Sequence, residues 1–342
     1  MKKFLFLAIA AAAMTSCSQD ETLEVAQKQA ISFGNVFVGK STRATDNTYG
    51  AAKLIEKFNV YGTVTGSNGT VNIFKGNDVT KPNDLNAYDA TKVWLLEGPA
   101  QYWVKDAKYA FAAVVNEDIV NVQTDDNGMP TTLTYGTDNT GTKDLLYATA
   151  GVEKAVTNQG IVAFTFNHLL SKVWFTVKSD TEYNVDTESG YYYTVKDIKV
   201  NNFETGIYTI NGGTWAGTTA KDIEFGNVEQ VTKTENKTNA TQQLLIPNSA
   251  DYKITFTVEL YVNGVKADTK NYESTVSNEL LAGNSYNFII DLKQGNPIQF
   301  SVSSVTEWIE DLNSDGNKTN DAITLNYEEV TSAQGNTGGV AQ

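Results

Sequence analysis

The chain has 342 residues, of which 40 are Asp or Glu and 26 are Lys or Arg, so its formal net charge at pH 7 is −14. This acidity, with a pI near 4.6, excludes a protein that binds duplex nucleic acid through a basic surface. The length is sufficient for two domains, each with a hydrophobic core of its own.

The N-terminus has the parts of an export signal. Two lysines precede an apolar run at residues 4–14, which is too short to span a bilayer. The run ends in the sequence MTSC, which resembles the bacterial lipoprotein processing box. Its last residue, Cys17, is the only cysteine, so an intrachain disulfide cannot form. We predict a signal peptide at residues 1–17 that ends at a lipidated Cys17; the alternative is an unmodified thiol in an ordinary signal peptide.

A strand pattern and the only arginine of the chain follow this leader. Within residues 30–38 one face has three apolar side chains, interrupted by Asn35: Ile31, Phe33 and Phe37. This alternation predicts a β-strand. Arg43 and Ala44 come next, in a stretch of Ser, Thr, Asp and Asn where a protease could bind the backbone in an extended form. The alternative is that Arg43 is a surface residue without a role.

Strand patterns dominate the remainder of the chain, with Gly- and Asn-rich turns between them. Runs of β-branched and aromatic residues occur at 58–64, 93–96, 109–115, 161–166, 172–178, 191–200, 243–246, 252–262, 285–292 and 298–305. Many short strands joined by such turns are typical of all-β sandwiches. The polar stretch at 151–160 is the best boundary, so we expect one sandwich at 44–154 and a second at 155–312.

A polar tail at residues 313–342 contains one more strand pattern. Its alternating apolar side chains are Ile323, Leu325 and Tyr327. This segment is either a strand that can separate from its own domain or an ordinary strand of the second sandwich.

The start of this tail and the residues just before it contain a weak calcium candidate. Asp311, Asn313 and Asp315 occupy positions 1, 3 and 5 of an EF-hand-type loop, and a glycine stands at position 6. The twelfth position, where a bidentate carboxylate is needed, is Ala322. A polar linker is therefore favoured, and we expect no bound metal.

Residues for catalysis are scarce. His168 is the only histidine; it lies at a predicted turn between two strands, and a zinc site needs three or four ligands. No phosphate-binding glycine pattern is present, and nothing singles out a carboxylate pair of the glycosidase type. The tryptophans could form a sugar-stacking platform, although core packing is favoured: Trp94, Trp103, Trp174, Trp215 and Trp308. We expect neither an enzyme nor a cofactor.

Several short segments occur in a consistent order between residues 100 and 308. They are YW at 102–103, DLLYA at 144–148, FTFNH at 164–168, LIP at 245–247, LAGNSYNF at 281–288 and VTEW at 305–308. Together with the lipoprotein leader, this order resembles the fimbrillins, the pilin subunits of Bacteroidales fimbriae. The resemblance is closest to the broad fimbrillin-like group, whose members include stalk, tip and anchor subunits.

The resemblance implies two tandem transthyretin-like β-sandwich domains with an extended C-terminal strand. It further implies a lipoprotein precursor at the outer membrane, from which an arginine-specific protease removes the propeptide at residues 18–43. The first strand would leave with it, and a strand from another subunit would fill the groove. In this chain the cut would fall between Arg43 and Ala44, and residues 323–327 would supply the donor strand.

The partners that the resemblance implies are like subunits in a homopolymer, accessory subunits, the processing protease and, through Cys17, membrane lipid. Two alternatives remain open. The chain could be a tip or accessory adhesin, or a surface lipoprotein that binds glycan or protein without polymerising.

Overall fold

Strands form nearly all the regular structure that a computed structural model describes for this chain. The described residues are 29–38, 55–85, 91–115, 120–136, 143–156, 159–234, 237–238, 242–277, 279–293, 299–303, 322–325 and 327–329. Within these ranges the chain forms no helix, and so none that is long and apolar enough to cross a membrane. The all-β prediction is confirmed.

Twenty-one strands occur in these ranges. They are β1 (Phe33–Val38), β2 (Lys57–Gly66), β3 (Gly69–Thr80), β4 (Leu95–Leu96), β5 (Lys108–Val115), β6 (Val120–Thr124), β7 (Pro130–Tyr135), β8 (Leu146–Val152), β9 (Val162–His168), β10 (Ser171–Ser179), β11 (Tyr183–Asn184), β12 (Ser189–Thr209), β13 (Thr214–Val231), β14 (Lys237–Thr238), β15 (Gln243–Leu245), β16 (Tyr252–Val262), β17 (Val265–Val276), β18 (Ser285–Leu292), β19 (Gln299–Ser303), β20 (Ala322–Leu325) and β21 (Tyr327–Glu329). Each of the ten strand patterns found between residues 58 and 305 overlaps one of them.

The strands form three sheets. The first has the order β1-β9-β8-β5-β2-β3-β4. The second has the order β14-β10-β18-β19-β20, with β15 also on β10, and β18 runs parallel to β10. The third has the order β21-β17-β16-β12-β7-β6, with β11 and β13 also on β12.

Alternation of apolar and polar residues explains why these segments are strands with one buried face. In β9 every second side chain is buried, and the residues between them are exposed. The same period of two occurs in β10 and in the first part of β16, as expected when one face of a sheet covers a core. β16 and β17 join at Asn263 and Gly264, which both have positive φ (48° and 78°), the geometry that a tight hairpin turn requires.

Three hydrophobic clusters hold the sheets together. The first lies within the first sheet and includes Phe33, Phe58 and Phe164. The second lies between the second and third sheets and includes Phe175 and Phe288. The third contains side chains from β5, β7 and β8, together with the link between β9 and β10. This third cluster therefore joins the first sheet to the other two.

Strand pairing crosses the proposed boundary between residues 154 and 155. β9 lies beyond this point but pairs with β1 and β8 in the first sheet. β6 and β7 lie before it, yet β7 pairs with β12 in the third sheet. The two-sandwich division and its boundary stay predictions.

Candidate functional site

Strand β1 is hydrogen-bonded on both of its sides. On one side it runs parallel to β9, and the Val162 amide donates to the Ser32 carbonyl at 2.8 Å. On the other side the Trp94 amide donates to the Phe33 carbonyl at 2.8 Å, and the Ile31 amide donates to Gln101 at 2.7 Å. β1 is thus an internal strand rather than an edge.

The segment at residues 93–103 provides this second side. Val93 pairs with Gly34 and Tyr102 pairs with Ala30, both antiparallel. Between these two points the chain turns away, and β4 pairs with β3. The segment therefore connects β3 to β1 and closes the first sheet around its core.

Phe33 lies at the centre of that core. Its relative exposure is 0%, and its ring centroid lies 5.4 Å from Phe74, 5.8 Å from Phe111 and 5.9 Å from Phe164. Aromatic contacts at these distances stabilise a core beyond the area that they bury. Ile31 is buried as well, whereas the side chain of Phe37 is outside the described residues.

Val36 is a buried residue of β1 that the alternation did not identify. The register of β1 against β9 shifts between Gly34 and Val36, and one extra residue in a strand exchanges the faces of all residues after it. In the sequence, the polar Asn35 interrupts the apolar face at the same place.

The C-terminal strands lie at sheet edges. β20 is the last strand of the second sheet, and among the described residues it pairs with β19 alone, placing Ile323 opposite Val302 and Leu325 opposite Phe300. β21 is the last strand of the third sheet, where Tyr327 pairs with Ser274 of β17. Both strands pair with strands of their own chain here, and the separable strand stays a prediction.

Two of the tryptophans proposed for a sugar platform are buried in the first core. These are Trp94 and Trp103. Trp215 is half-buried, and its Nε1–H donates to the Leu169 carbonyl at 2.7 Å. Trp174 is half-buried as well, and Trp308 lies outside the described residues. A platform that includes Trp94 or Trp103 is therefore not available at the surface.

His168 is buried at the end of β9. Its Nδ1 makes a short hydrogen bond with Oδ2 of Asp144, and the following residue, Leu169, donates its amide to Leu145 at 2.9 Å. The pair lies where the chain passes from the first sheet to the second. A buried imidazole held by Asp144 in this way is explained by a structural role for His168.

Glu259 is the centre of a charged cluster on the third sheet. The Lys196 Nζ lies 2.8 Å from its carboxylate, the Lys266 Nζ lies 3.2 Å away, and the Tyr261 hydroxyl donates to it at 2.9 Å. The hydrogen bond from Lys196, more than any other contact, lowers the pKa of Glu259 to about 2. The same carboxylate raises the pKa of Tyr261. The cluster ties β12, β16 and β17 together through charge.

The remaining predicted site residues cannot be placed. Cys17, Arg43 and Ala44 lie outside the described residues, and so does the calcium candidate at residues 311–315. In the described part of the chain, no three His, Cys, Asp or Glu side chains are grouped so that they could hold a metal ion.

A family model described as fimbrillin-like matches residues 42–308. The chain belongs to this family. Its class is therefore that of fimbrial or adhesive proteins of the cell surface, and it is not an enzyme.

Solved structures give the same fold. A fimbrial protein from Bacteroides vulgatus ATCC 8482 has a TM-score of 0.56 at 15% identity, covering 82% of this chain and 99% of that chain. A Bacteroides uniformis ATCC 8492 protein assigned to cell adhesion has a TM-score of 0.50 at 18% identity, covering 82% and 99%. A comparison with curated proteins gives no match. At these identities the likeness shows the fold alone.

Proposed function

We propose that the chain is a stalk subunit of cell-surface fimbriae that polymerises by strand exchange. It is exported as a lipoprotein, held in the outer membrane by acyl chains such as palmitate on Cys17, and cut after Arg43. The strand β1 then leaves, and a C-terminal strand of another subunit takes its place. Accessory subunits join the same fibre, which supports adhesion and biofilm formation.

The observation that supports this proposal most is the position of Phe33. A residue of the propeptide completes the core of the domain that would remain after cleavage, because its ring contacts Phe74, Phe111 and Phe164. A propeptide that served only for export would have no need to enter the core.

Loss of β1 would leave a groove of defined chemistry. Ile31, Phe33 and Val36 are buried, and burial of such side chains stabilises by about 1.5–3 kcal/mol each. The amides of Val162 and Trp94 would also lose the carbonyls that they contact. A strand from another subunit would restore both the apolar contacts and the ladder hydrogen bonds.

The edge position of β20 supports its role as the donor. In the part of the chain that the structure describes, β20 pairs on one side, so it can leave with fewer broken hydrogen bonds than an internal strand. Fourteen residues separate Trp308 from Ile323, and at about 3.3 Å each they could reach roughly 45 Å. That length is sufficient for β20 to enter a neighbouring subunit.

The test is assembly after cleavage. The purified precursor is incubated with an arginine-specific protease, and the products are separated on a gel without heating. We expect ladders from the unaltered chain and none from Arg43→Lys, which keeps the charge but removes the cut site. Absence of ladders after complete cleavage, or equal assembly by a chain that lacks residues 322–342, would contradict the proposal.

A tip or accessory adhesin is the second candidate, because one end of the third sheet exposes apolar side chains. Val185 and Val265 are 68% and 69% exposed, and Tyr191 is partly exposed. The Gly190 amide donates to Oδ1 of Asn263 there at 2.9 Å, so the start of β12 contacts the turn between β16 and β17. A glycan array probed with the cleaved protein and with Tyr191→Ala would support this candidate if binding depends on Tyr191.

A further inference from the structure

Gly34 occupies a place in β1 where no side chain fits. A Cβ added to Gly34 would lie 2.5 Å from the Lys92 carbonyl oxygen and 2.9 Å from Cγ2 of Ile161. Contacts below 3 Å force a neighbour to move. The Ile161 side chain could turn away, but the Lys92 oxygen belongs to the backbone of the segment that closes the sheet.

Backbone conformation does not explain this glycine. The φ angle of Gly34 is not positive, whereas ten other glycines in the described residues have positive φ. Another residue could therefore adopt the backbone geometry of Gly34. Crowding is the remaining reason. Gly34 pairs with Val93 on one side and with Ala163 on the other. Lys92 directly precedes Val93, and Ile161 lies two residues before Ala163. We call the space between the Lys92 carbonyl and the Ile161 side chain the Gly34 slot.

The slot lies next to the deepest position of the groove. Phe33 points into the core, and the following residue enters the slot. A strand that places an apolar side chain where Phe33 lies must therefore place its next residue in the slot. A strand that binds in the groove therefore needs a large apolar residue followed directly by a residue without a side chain.

The C-terminal segment of this chain does not have that pair. If Ile323, Leu325 or Tyr327 takes the place of Phe33, the next residue is Thr324, Asn326 or Glu328 respectively. Each of the three has a Cβ, and each register would bring that atom against the Lys92 carbonyl.

We propose that the Gly34 slot selects the strands that the groove accepts. It favours a strand in which glycine directly follows the deepest apolar residue, and it opposes the C-terminal strand of this chain until Lys92 and Ile161 move apart. This inference rests on the proposed strand exchange. Its consequence is that β1 fits its own groove better than a tail from another subunit, which protects the uncut precursor from early assembly.

The experiment uses synthetic peptides and the chain after arginine-specific cleavage. The first peptide comprises residues 29–38, the second is the same peptide with Gly34→Ala, and the matched control carries Ser32→Ala. Ser32 lies between two buried residues and is partly exposed, so its loss creates no overlap. We expect the Gly34→Ala peptide to bind about tenfold more weakly, or worse, and the control to bind within about twofold of the first.

A second pair of peptides tests the same rule in the opposite direction. They comprise residues 320–329, unaltered and with Asn326→Gly, which places glycine directly after Leu325. The glycine variant should bind more tightly, although glycine by itself weakens a strand. Equal binding by the Gly34→Ala and unaltered β1 peptides would overturn the proposal, and so would weaker binding by Asn326→Gly.

The uncut precursor separates failure of the slot from failure of strand exchange. Gly34→Ala should lower its thermal midpoint by several degrees more than Ser32→Ala. If the cleaved chain retains residues 18–43 and binds no peptide, strand exchange is wrong, and the precursor still tests the slot. Equal thermal midpoints for Gly34→Ala and Ser32→Ala would then reject the proposal for the Gly34 slot.

Discussion

The first strand and the C-terminal strands of this protein have opposite relations to their sheets. β1 has hydrogen-bonded neighbours on both sides, and Phe33 lies at the centre of a core. Within the described residues, β20 and β21 each have one neighbour and end their sheets. An internal strand with buried side chains costs both core contacts and ladder hydrogen bonds when it leaves, whereas an edge strand loses one ladder. The difference is the one expected between a strand that must be cut free and a strand that can be donated.

Phe33→Ala should have the largest effect on the precursor. Loss of a ring with three aromatic neighbours is expected to lower the free energy of unfolding by about 3–5 kcal/mol, as measured by urea denaturation. Val71→Ala, at an exposed residue of β3, is the control and should change stability by about 0.5 kcal/mol or less. An effect of Phe33→Ala as small as that of the control would mean that β1 does not complete the core.

Deletion of residues 322–342 should affect assembly far more than folding. Because the described neighbours of β20 and β21 lie on one side of each strand, we expect a loss of less than about 2 kcal/mol in the free energy of unfolding. The same deletion should abolish ladders after arginine-specific cleavage. A loss of stability as large as that of Phe33→Ala would show that the two ends of the chain are equally part of their sheets.

Trp215→Phe should weaken the cluster that joins the first sheet to the other two. The change keeps a ring but leaves the Leu169 carbonyl without the indole donor that lies 2.7 Å away, at an expected cost of about 1–3 kcal/mol. Trp174→Phe makes the same chemical change on β10 and should cost less. If thermal denaturation shows equal losses, the Trp215 hydrogen bond does not stabilise the junction.

The smallest expected effect is on the pH dependence of stability and concerns the third sheet. Contacts with Lys196, Tyr261 and Lys266 lower the pKa of Glu259 from 4.5 to about 2. Its stabilising contribution is thus complete above pH 4.5 and is lost as the pH falls towards 2. After allowance for the partly exposed lysines, the loss is on the order of 1 kcal/mol.

Glu259→Gln tests this contribution, since it removes the charge and keeps the shape. Denaturant midpoints measured from pH 6 to pH 2 should fall less for Glu259→Gln than for the unaltered chain. Lys196→Met removes the nearest cation and should flatten the profile in the same direction. Identical profiles for all three chains would exclude a contribution from this cluster.

Two of the longest strands that the sequence patterns missed, β13 and β17, share one cause. β13 and β17 contain mostly exposed polar side chains, so they lack the alternation that revealed β9, β10 and β16. Their pairing with β12 and β16 relies on the backbone, which the side-chain pattern does not report. The burial of Val36 was missed for a different reason. The register shift before Val36 moves its side chain to the face that strict alternation would assign to exposed residues.

The composition, the period of two and the turn residues determined the all-β class, the position of β1 and the hairpin turn at Asn263 and Gly264. These are local properties, since each depends on residues close together in the chain. Only the tertiary structure decided that residues 93–103 close the first sheet against β1, that β9 pairs back across the expected boundary, and that Gly34 is crowded by Lys92 and Ile161. Such contacts join residues distant in sequence, and they depend on how whole strands pack rather than on any one strand's pattern.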